Sequence, residues 1–116
     1  MIRQAVMKQY VIDELRIEDH EQIKAYLDEN FRDSVFDGVY WIPLDQGILT
    51  DIQKKHTDCQ PFYVAIELGQ DRMSCELLVR TKTRMRCDCI RYATETQMNW
   101  LIQMLDAIFE KLGIKA

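Results

Sequence analysis

The stretch FYVAIELGQDRMSCELLVR, residues 62–80, decides the fold because apolar and polar side chains alternate on both sides of one short loop. Alternation with a period of two is the signature of a strand that buries one face. The four-residue loop Gly-Gln-Asp-Arg joins the two halves into an antiparallel hairpin. In the register this loop allows, Leu68 faces Met73 and Ile66 faces Cys75. The apolar face is formed by Phe62, Val64, Ile66, Leu68, Met73, Cys75, Leu77 and Val79.

The same alternation continues beyond this hairpin. Met85, Cys87 and Cys89 repeat at every second position, which predicts a third strand and a meander over residues 62–94. The Cys87-Asp88-Cys89 triplet then lies in that strand, and both of its cysteines point to the apolar face. Free cysteine packs as a small hydrophobic side chain. We therefore expect Cys75, Cys87 and Cys89 to be core residues.

One helix is predicted before the meander and one after it. Residues 19–31, DHEQIKAYLDENF, have helical spacing behind Asp19, which is expected to cap the helix with Gln22 completing a capping box. Near the C-terminus, Thr94 and Gln97 form a second capping box, and Gly113 is expected to end the helix in a left-handed conformation. The apolar stripe of this last helix is Met98, Leu101, Ile102, Leu105, Ile108, Phe109 and Leu112.

The remaining elements complete an α+β fold. Residues 8–13 read as a first strand, and residues 39–44 read as an edge strand because Pro43 lacks a backbone N–H. Residues 48–56 suggest a short helix. The predicted order is β-α-β-(α)-β-β-β-α, a largely antiparallel sheet with helices packed on one face.

Length and composition are typical of one soluble domain. The 116 residues are 47% hydrophobic and 29% charged, and no linker-like segment divides them. We predict a single domain over residues 1–116, with residues 1–7 as an extension without regular structure. No stretch approaches the roughly 18 apolar residues of a membrane span, and no signal peptide is recognised. A cytoplasmic protein with reduced cysteines is expected.

A basic segment interrupts an acidic chain. Five Lys and Arg residues against Asp88 give residues 77–94 a charge of +4, whereas the whole chain carries −4. Basic and aromatic side chains would share the outer sheet face and hairpin tip, which predicts an anion-binding surface. The alternative is a charged hairpin that protects the sheet edge from pairing. The acidic balance disfavours nucleic acid. The predicted ligand-binding residues are Tyr63, Arg80, Lys82, Arg84, Arg86 and Tyr92.

A metal or thiol site is the competing interpretation. His56, Cys59, Cys87 and Cys89 supply four ligands on paper, and His56 with Cys59 alone resembles a thiolate–imidazole pair. A single C-x-C does not match the usual zinc spacing of C-x₂₋₄-C. The leading prediction is therefore no metal ligand and no cofactor, with a thiol- or metal-dependent protein as the alternative.

Fingerprints of other catalytic classes are lacking in the sequence. Neither serine lies in a Gly-x-Ser-x-Gly elbow, and the isolated glycines form no phosphate-binding loop. We predict no catalytic residue. The expected function is a non-enzymatic binding module that contacts an acidic protein segment or an anionic, phosphate-bearing ligand through the basic hairpin.

Two side chains of the last helix point to self-association. Trp100 and Met104 lie outside the core stripe and widen the apolar arc beyond what one sheet face buries. A two-fold homodimer through these residues is predicted. The alternative is that the first helix covers them within the same chain.

Overall fold

The computed structural model describes residues 2–6, for which it gives the backbone, and residues 8–31 and 37–115. Among these residues, seven strands form one antiparallel sheet beside three α-helices. The predicted α+β class with an antiparallel sheet is confirmed. The elements are β1 (Ile2–Val6), β2 (Gln9–Asp13), α1 (Ile17–Asn30), β3 (Val39–Pro43), α2 (Asp51–Lys55), β4 (Phe62–Leu68), β5 (Met73–Glu76), β6 (Leu78–Thr81), β7 (Arg91–Tyr92) and α3 (Glu95–Lys111).

The central hairpin has the predicted register. Ile66 pairs with Cys75 and Leu68 pairs with Met73 across β4 and β5. Every second side chain of β4 is buried, and these side chains join buried residues of α1 and α3 in one hydrophobic core. The alternation therefore covers one face of the sheet with helices and leaves the other face partly open.

A bulge at Leu77 separates β5 from β6. Between the pairs Ile66–Cys75 and Tyr63–Arg80 the chain advances three residues on β4 but five on its partner. The two extra residues keep the inner face unchanged, because side chains alternate with a period of two. The N–H of Leu77 donates to the carbonyl of Lys8 at 2.9 Å, and the N–H of Ala93 donates to the carbonyl of Leu77. As a result β2 flanks β5 while β7 flanks β6.

Two of the outer strands, β3 and β1, have a physical reason for their position. Among the described residues β3 pairs with β4 alone, and its last residue is Pro43, as expected for an edge strand. At the opposite edge β1 pairs along the whole of β2. The sequence predicted no regular structure for residues 1–7, whereas residues 2–6 form β1. Pairing with β1 gives hydrogen-bond partners to the backbone N–H and C=O groups along the edge of β2.

Helix α1 begins earlier than predicted. Its N-cap is Arg16, and Asp19 occupies the third helical position, so the prediction of Asp19 as the N-cap is wrong. The Asp19 carboxylate accepts hydrogen bonds from the backbone N–H of Arg16 at 3.1 Å and from its guanidinium at 3.0 Å. An acidic residue in the first turn of a helix is favourable, which explains why the same residue suggested a helix start.

The other two helices begin at capping boxes. Thr50 caps α2 and Thr94 caps α3, each by accepting the N–H of a glutamine three residues later. The short helix predicted near residues 48–56 is confirmed as α2, preceded by a 3₁₀ turn. Helix α3 ends at Lys111, and Gly113 beyond its C-cap is left-handed as predicted, with a φ of +73°. The N–H of Ile114 donates to the carbonyl of Phe109 at 2.8 Å and closes a Schellman motif.

The two capping glutamines also meet inside the protein. Gln53 and Gln97 are 1% and 2% exposed, and the Gln97 Nε2 donates to the Gln53 Oε1 at 2.9 Å. The same Nε2 donates to the carbonyl of Ile48 at 3.0 Å, and the Gln53 Nε2 donates to the carbonyl of Cys89 at 3.1 Å. Buried amides are tolerated because every polar atom finds a partner. This amide pair connects both helix starts to the turn that contains Cys89.

The amide pair predicts a large difference between two glutamines of α3. Gln97→Leu removes one half of the capping box at Thr94 and leaves buried polar partners unsatisfied, so it should lower the free energy of unfolding by about 2–4 kcal/mol. Gln103→Leu changes an exposed position of the same helix and should shift it by less than about 0.5 kcal/mol. Urea unfolding followed by circular dichroism measures both. Equal effects of the two substitutions would contradict a structural role for the amide pair.

Candidate metal centre

Residues 82–90 leave the sheet instead of forming the predicted third strand. Regular pairing after β6 is limited to the two residues of β7, and Met85, expected on the core face, is 94% exposed. The N–H of Ile90 donates to the carbonyl of Cys87 at 3.0 Å, so the Cys-Asp-Cys triplet lies in a turn. The prediction of a strand through Met85, Cys87 and Cys89 is wrong. Alternation over so few residues does not distinguish a strand from a loop.

The Thr81 side chain draws this segment toward the connection between α2 and β4. Its hydroxyl donates to the carbonyl of Cys59, and the Thr83 hydroxyl donates to the carbonyl of Asp58 at 3.4 Å. On that connection His56 ends α2, and Cys59 closes the 3₁₀ turn that follows. The side chains of His56 and Cys59 therefore lie next to those of the Cys-Asp-Cys turn.

Three cysteines and one histidine meet between the two turns. The ligand atoms of His56, Cys59, Cys87 and Cys89 all lie within 4.8 Å of one another. The His56 Nδ1 lies 3.1 Å from the Cys87 Sγ, and the Sγ atoms of Cys59 and Cys87 lie 4.0 Å apart. In a tetrahedral zinc site with Zn–S bonds of about 2.3 Å, neighbouring sulfur atoms are about 3.8 Å apart. The spacing thus fits a Cys₃His ligand set.

The cysteines divide into two kinds. Cys75 is fully buried on the inner sheet face, which confirms its prediction as a core residue. Cys59 and Cys89 are also buried, but both face the ligand group, and Cys87 is half-buried. Cys89 is buried in the hydrophobic core as expected and Cys87 is half-buried against it, but neither lies on a strand of the sheet. The four ligand residues could be recognised in the sequence, but the C-x-C and H-x-x-C spacings did not indicate that they lie close together.

Backbone contacts hold the cluster in place. The Gln53 side chain binds the carbonyl of Cys89, and the Thr81 hydroxyl binds the carbonyl of Cys59. Both supporting side chains are buried, Gln53 at 1% and Thr81 at 5% exposure. Partners of this kind orient metal ligands and are part of a binding site. Neither residue was predicted, although the Thr50–Gln53 capping box was visible in the sequence.

Two thiols of the cluster, those of Cys87 and Cys89, ionise at different pH. Hydrogen bonds from Cys89, its backbone first, lower the pKa of Cys87 to about 7, and His56 and Cys59 act in the same direction. Burial raises the pKa of Cys89 to about 12, and its thiol neighbours add to this. Cys87 therefore becomes a thiolate at lower pH than Cys89. Thiols coordinate zinc in the deprotonated form, so the other ligands ionise when a cation is bound.

These differences predict the order of cysteine labelling in chelator-treated protein. Cys87 should react with iodoacetamide increasingly as the pH rises through about 7, because its thiolate forms there and its side chain is half-buried. Cys75, which is buried and has its pKa raised to about 12 by burial, should stay unlabelled until the protein is denatured. Mass spectrometry of peptides measures both sites. Labelling of Cys75 as fast as Cys87 without denaturant would contradict this assignment.

The structure brings together only part of the predicted anion-binding surface. Arg80, Lys82 and Arg84 line one concavity of about 340 Å³, and the Lys82 Nζ lies 4.4 Å from the centre of the Tyr63 ring. Arg86 is exposed outside this lining. Tyr92 lines a separate concavity of about 300 Å³ on the outer face, together with Glu67 and Glu76.

Trp41 is among the residues of the main concavity that were missed. Trp41 of β3 lines it, packs edge-on against Tyr63 with ring centroids 6.0 Å apart, and lies 5.9 Å from the Lys82 Nζ. Its place follows from the pairing of β3 with β4, which brings Pro43 opposite Tyr63. Alternation within β3 was enough to place Trp41 on the outer face, but not to show which strand it joins.

The side chains predicted to mediate dimerisation are half-buried. Trp100 and Met104 pack against the hydrophobic core of their own chain. The large apolar side chains most exposed among the described residues are Ile17, Met85 and Tyr92. The homodimer stays a prediction, and the alternative of burial within the chain gains support.

Light scattering separates these two interpretations. If α3 mediates a dimer, the wild type has twice the monomer mass at high concentration and Trp100→Glu gives a folded monomer, because an interfacial carboxylate is costly to desolvate. A monomeric wild type would contradict the dimer. Gln103→Glu, at an exposed position of α3, is the matched control for added charge.

Comparisons with known proteins supply no relative. No protein-family model, curated protein or solved structure matches the chain. Among the described residues, every helix is too short or too polar to cross a membrane. The site itself is thus the basis for a functional proposal.

Proposed function

We propose that the protein is a non-enzymatic binding module that holds one zinc ion through His56, Cys59, Cys87 and Cys89. The observation that carries this proposal is the convergence of all four ligand atoms within 4.8 Å. Three thiols and one imidazole form a ligand set that suits zinc, and four protein ligands are typical of structural rather than catalytic zinc sites. Thiolate and imidazole ligands select zinc over the harder cations magnesium and calcium.

A thiol enzyme is the less favoured use of the same atoms. The 3.1 Å contact between the His56 Nδ1 and the Cys87 Sγ is also the arrangement of a thiolate–imidazole nucleophile. Two further thiols surround the same point, however, and Cys59 and Cys89 are buried where a substrate needs access. A crowded, buried group of soft ligands favours metal binding over nucleophilic attack.

The interpretation as a binding module follows from the loop that the proposed centre would hold in place. Its ligands Cys87 and Cys89 adjoin residues 82–86, which carry three basic side chains and lack regular pairing. A bound ion would restrict that loop beside the outer sheet face. The partner expected from the local positive charge is an acidic protein segment or a phosphate-bearing ligand.

Metal analysis of purified protein tests the proposal. One zinc per chain is expected, and replacement by Co²⁺ should give the visible absorption of a tetrahedral thiolate site. Cys59→Ser, Cys87→Ser and His56→Ala should each lower the bound metal to well under one equivalent. Chelation should also lower the melting temperature, because metal binding contributes to folding stability.

The chain offers matched controls for both ligand types. Cys75→Ala changes a buried cysteine outside the cluster, and His20→Asn changes a histidine whose Nδ1 lies 2.6 Å from the carbonyl of Gly69. Both variants should retain one equivalent of zinc. A wild type that takes up no zinc when refolded with it, or a ligand variant that binds as tightly as these controls, would refute the proposed centre.

A further inference from the structure

The concavity beside the proposed zinc centre combines cationic and apolar groups. It is lined by Trp41, Met85 and Ile90 as well as by Arg80, Lys82 and Arg84, and its volume is about 340 Å³. Ligand sites of small molecules have volumes from about 300 Å³ upward and pair an apolar wall with a few polar groups. This lining suits a ligand that is anionic at one end and apolar at the other.

An aromatic pair positions the Lys82 ammonium at this concavity. The Lys82 Nζ lies 4.4 Å from the Tyr63 ring centre and 5.9 Å from the Trp41 ring centre. Cation–π contacts with two rings restrict a side chain that otherwise samples many rotamers. The Lys82 ammonium also occupies one face of the Tyr63 ring. The arrangement therefore favours recognition of a charged group over stacking of single-stranded nucleic acid.

The neighbouring arginines differ in how far their charge is already balanced. The Arg80 guanidinium contacts the Glu76 carboxylate at 2.6 Å. Arg84 is exposed, and it forms no ion pair within the part of the chain that the structure describes. Guanidinium groups bind phosphate oxygens through parallel hydrogen bonds. Arg84 therefore supplies charge and directional donors that are not used within the described fold.

The loop that carries these cations is tethered at both ends to the cluster. Thr81, just before Lys82, hydrogen-bonds to the carbonyl of Cys59, and Cys87 follows one residue after Arg86. A cation held by Cys59 and Cys87 would fix both ends of residues 82–86. The arrangement of Lys82 and Arg84 then depends on an intact centre.

We propose that this concavity binds a small ligand with a phosphoryl group next to an apolar or aromatic group. Lys82 and Arg84 contact the phosphoryl oxygens, and Trp41 and Ile90 cover the apolar part. A phosphoryl group offers three terminal oxygens to the Arg84 guanidinium and the Lys82 ammonium, whereas a carboxylate offers two. The proposal rests on the proposed function only in that the zinc centre orders the loop.

Phenyl phosphate is the probe, because it contains both chemical features. The chain has two tryptophans, so Trp100→Phe leaves Trp41 as the sole fluorescence reporter. Zinc-loaded Trp100→Phe protein should show saturable binding of phenyl phosphate that weakens with added salt. Inorganic phosphate and benzoate should each bind at least about fivefold more weakly, since each lacks one feature. Equal affinity for inorganic phosphate would identify a site for free phosphate and overturn the proposal.

Single substitutions assign the binding to this concavity. Lys82→Gln and Arg84→Gln should each weaken phenyl phosphate binding about tenfold while leaving one zinc bound. Lys111→Gln is the matched control, because the Lys111 Nζ lies 5.5 Å from the Tyr26 ring centre elsewhere in the fold. Unchanged binding in both loop variants, or no saturable binding by the zinc-loaded protein, would refute the site.

The two proposals fail in different ways. Cys87→Ser should lose zinc and weaken phenyl phosphate binding together. Zinc-loaded protein that ignores phenyl phosphate overturns the anion site and leaves the metal centre standing. Tight binding of phenyl phosphate by protein that never takes up zinc refutes the metal centre and the dependence of the loop on it.

Discussion

The hydrogen bond between the Gln53 and Gln97 side chains joins the parts of the fold that the site depends on. It connects the first turns of α2 and α3, and through Gln53 it also supports the carbonyl of Cys89. Both amides are buried, so the energy of each hydrogen bond is not reduced by competing water. A buried polar contact of this kind specifies one arrangement of helices, because any other leaves amide groups without partners.

The sequence was most informative where one period held over a long segment. The register of Ile66 with Cys75 and the capping box at Thr94 were both predictable, since each depends on local spacing. The bulge at Leu77 was not, because a shift of two residues preserves the inner face and leaves the pattern unchanged. Strand β1 was missed because it forms by pairing with the edge of β2, and its own composition carries no strand pattern.

The candidate site was predictable in its chemistry but not in its geometry. His56, Cys59, Cys87 and Cys89 were recognised as four possible ligands, yet alternation with Met85 assigned the triplet to a strand. The turn at Cys87 forms because Thr81 and Gln53 bind backbone carbonyls of distant residues. Long-range hydrogen bonds of this kind leave no period in a sequence. Trp41 was missed for the same reason, since its neighbours come from another strand.

The position of the cluster along the chain has a topological consequence. Cys59 and Cys87 are 28 residues apart, and the segment between them contains β4, β5 and β6. A shared ion would close this segment into a ring that contains the central hairpin. In the unfolded chain, closing such a ring has an entropic cost that grows with its length, whereas the folded hairpin has already brought the ends together. The affinity for such an ion would therefore depend on whether the hairpin has formed.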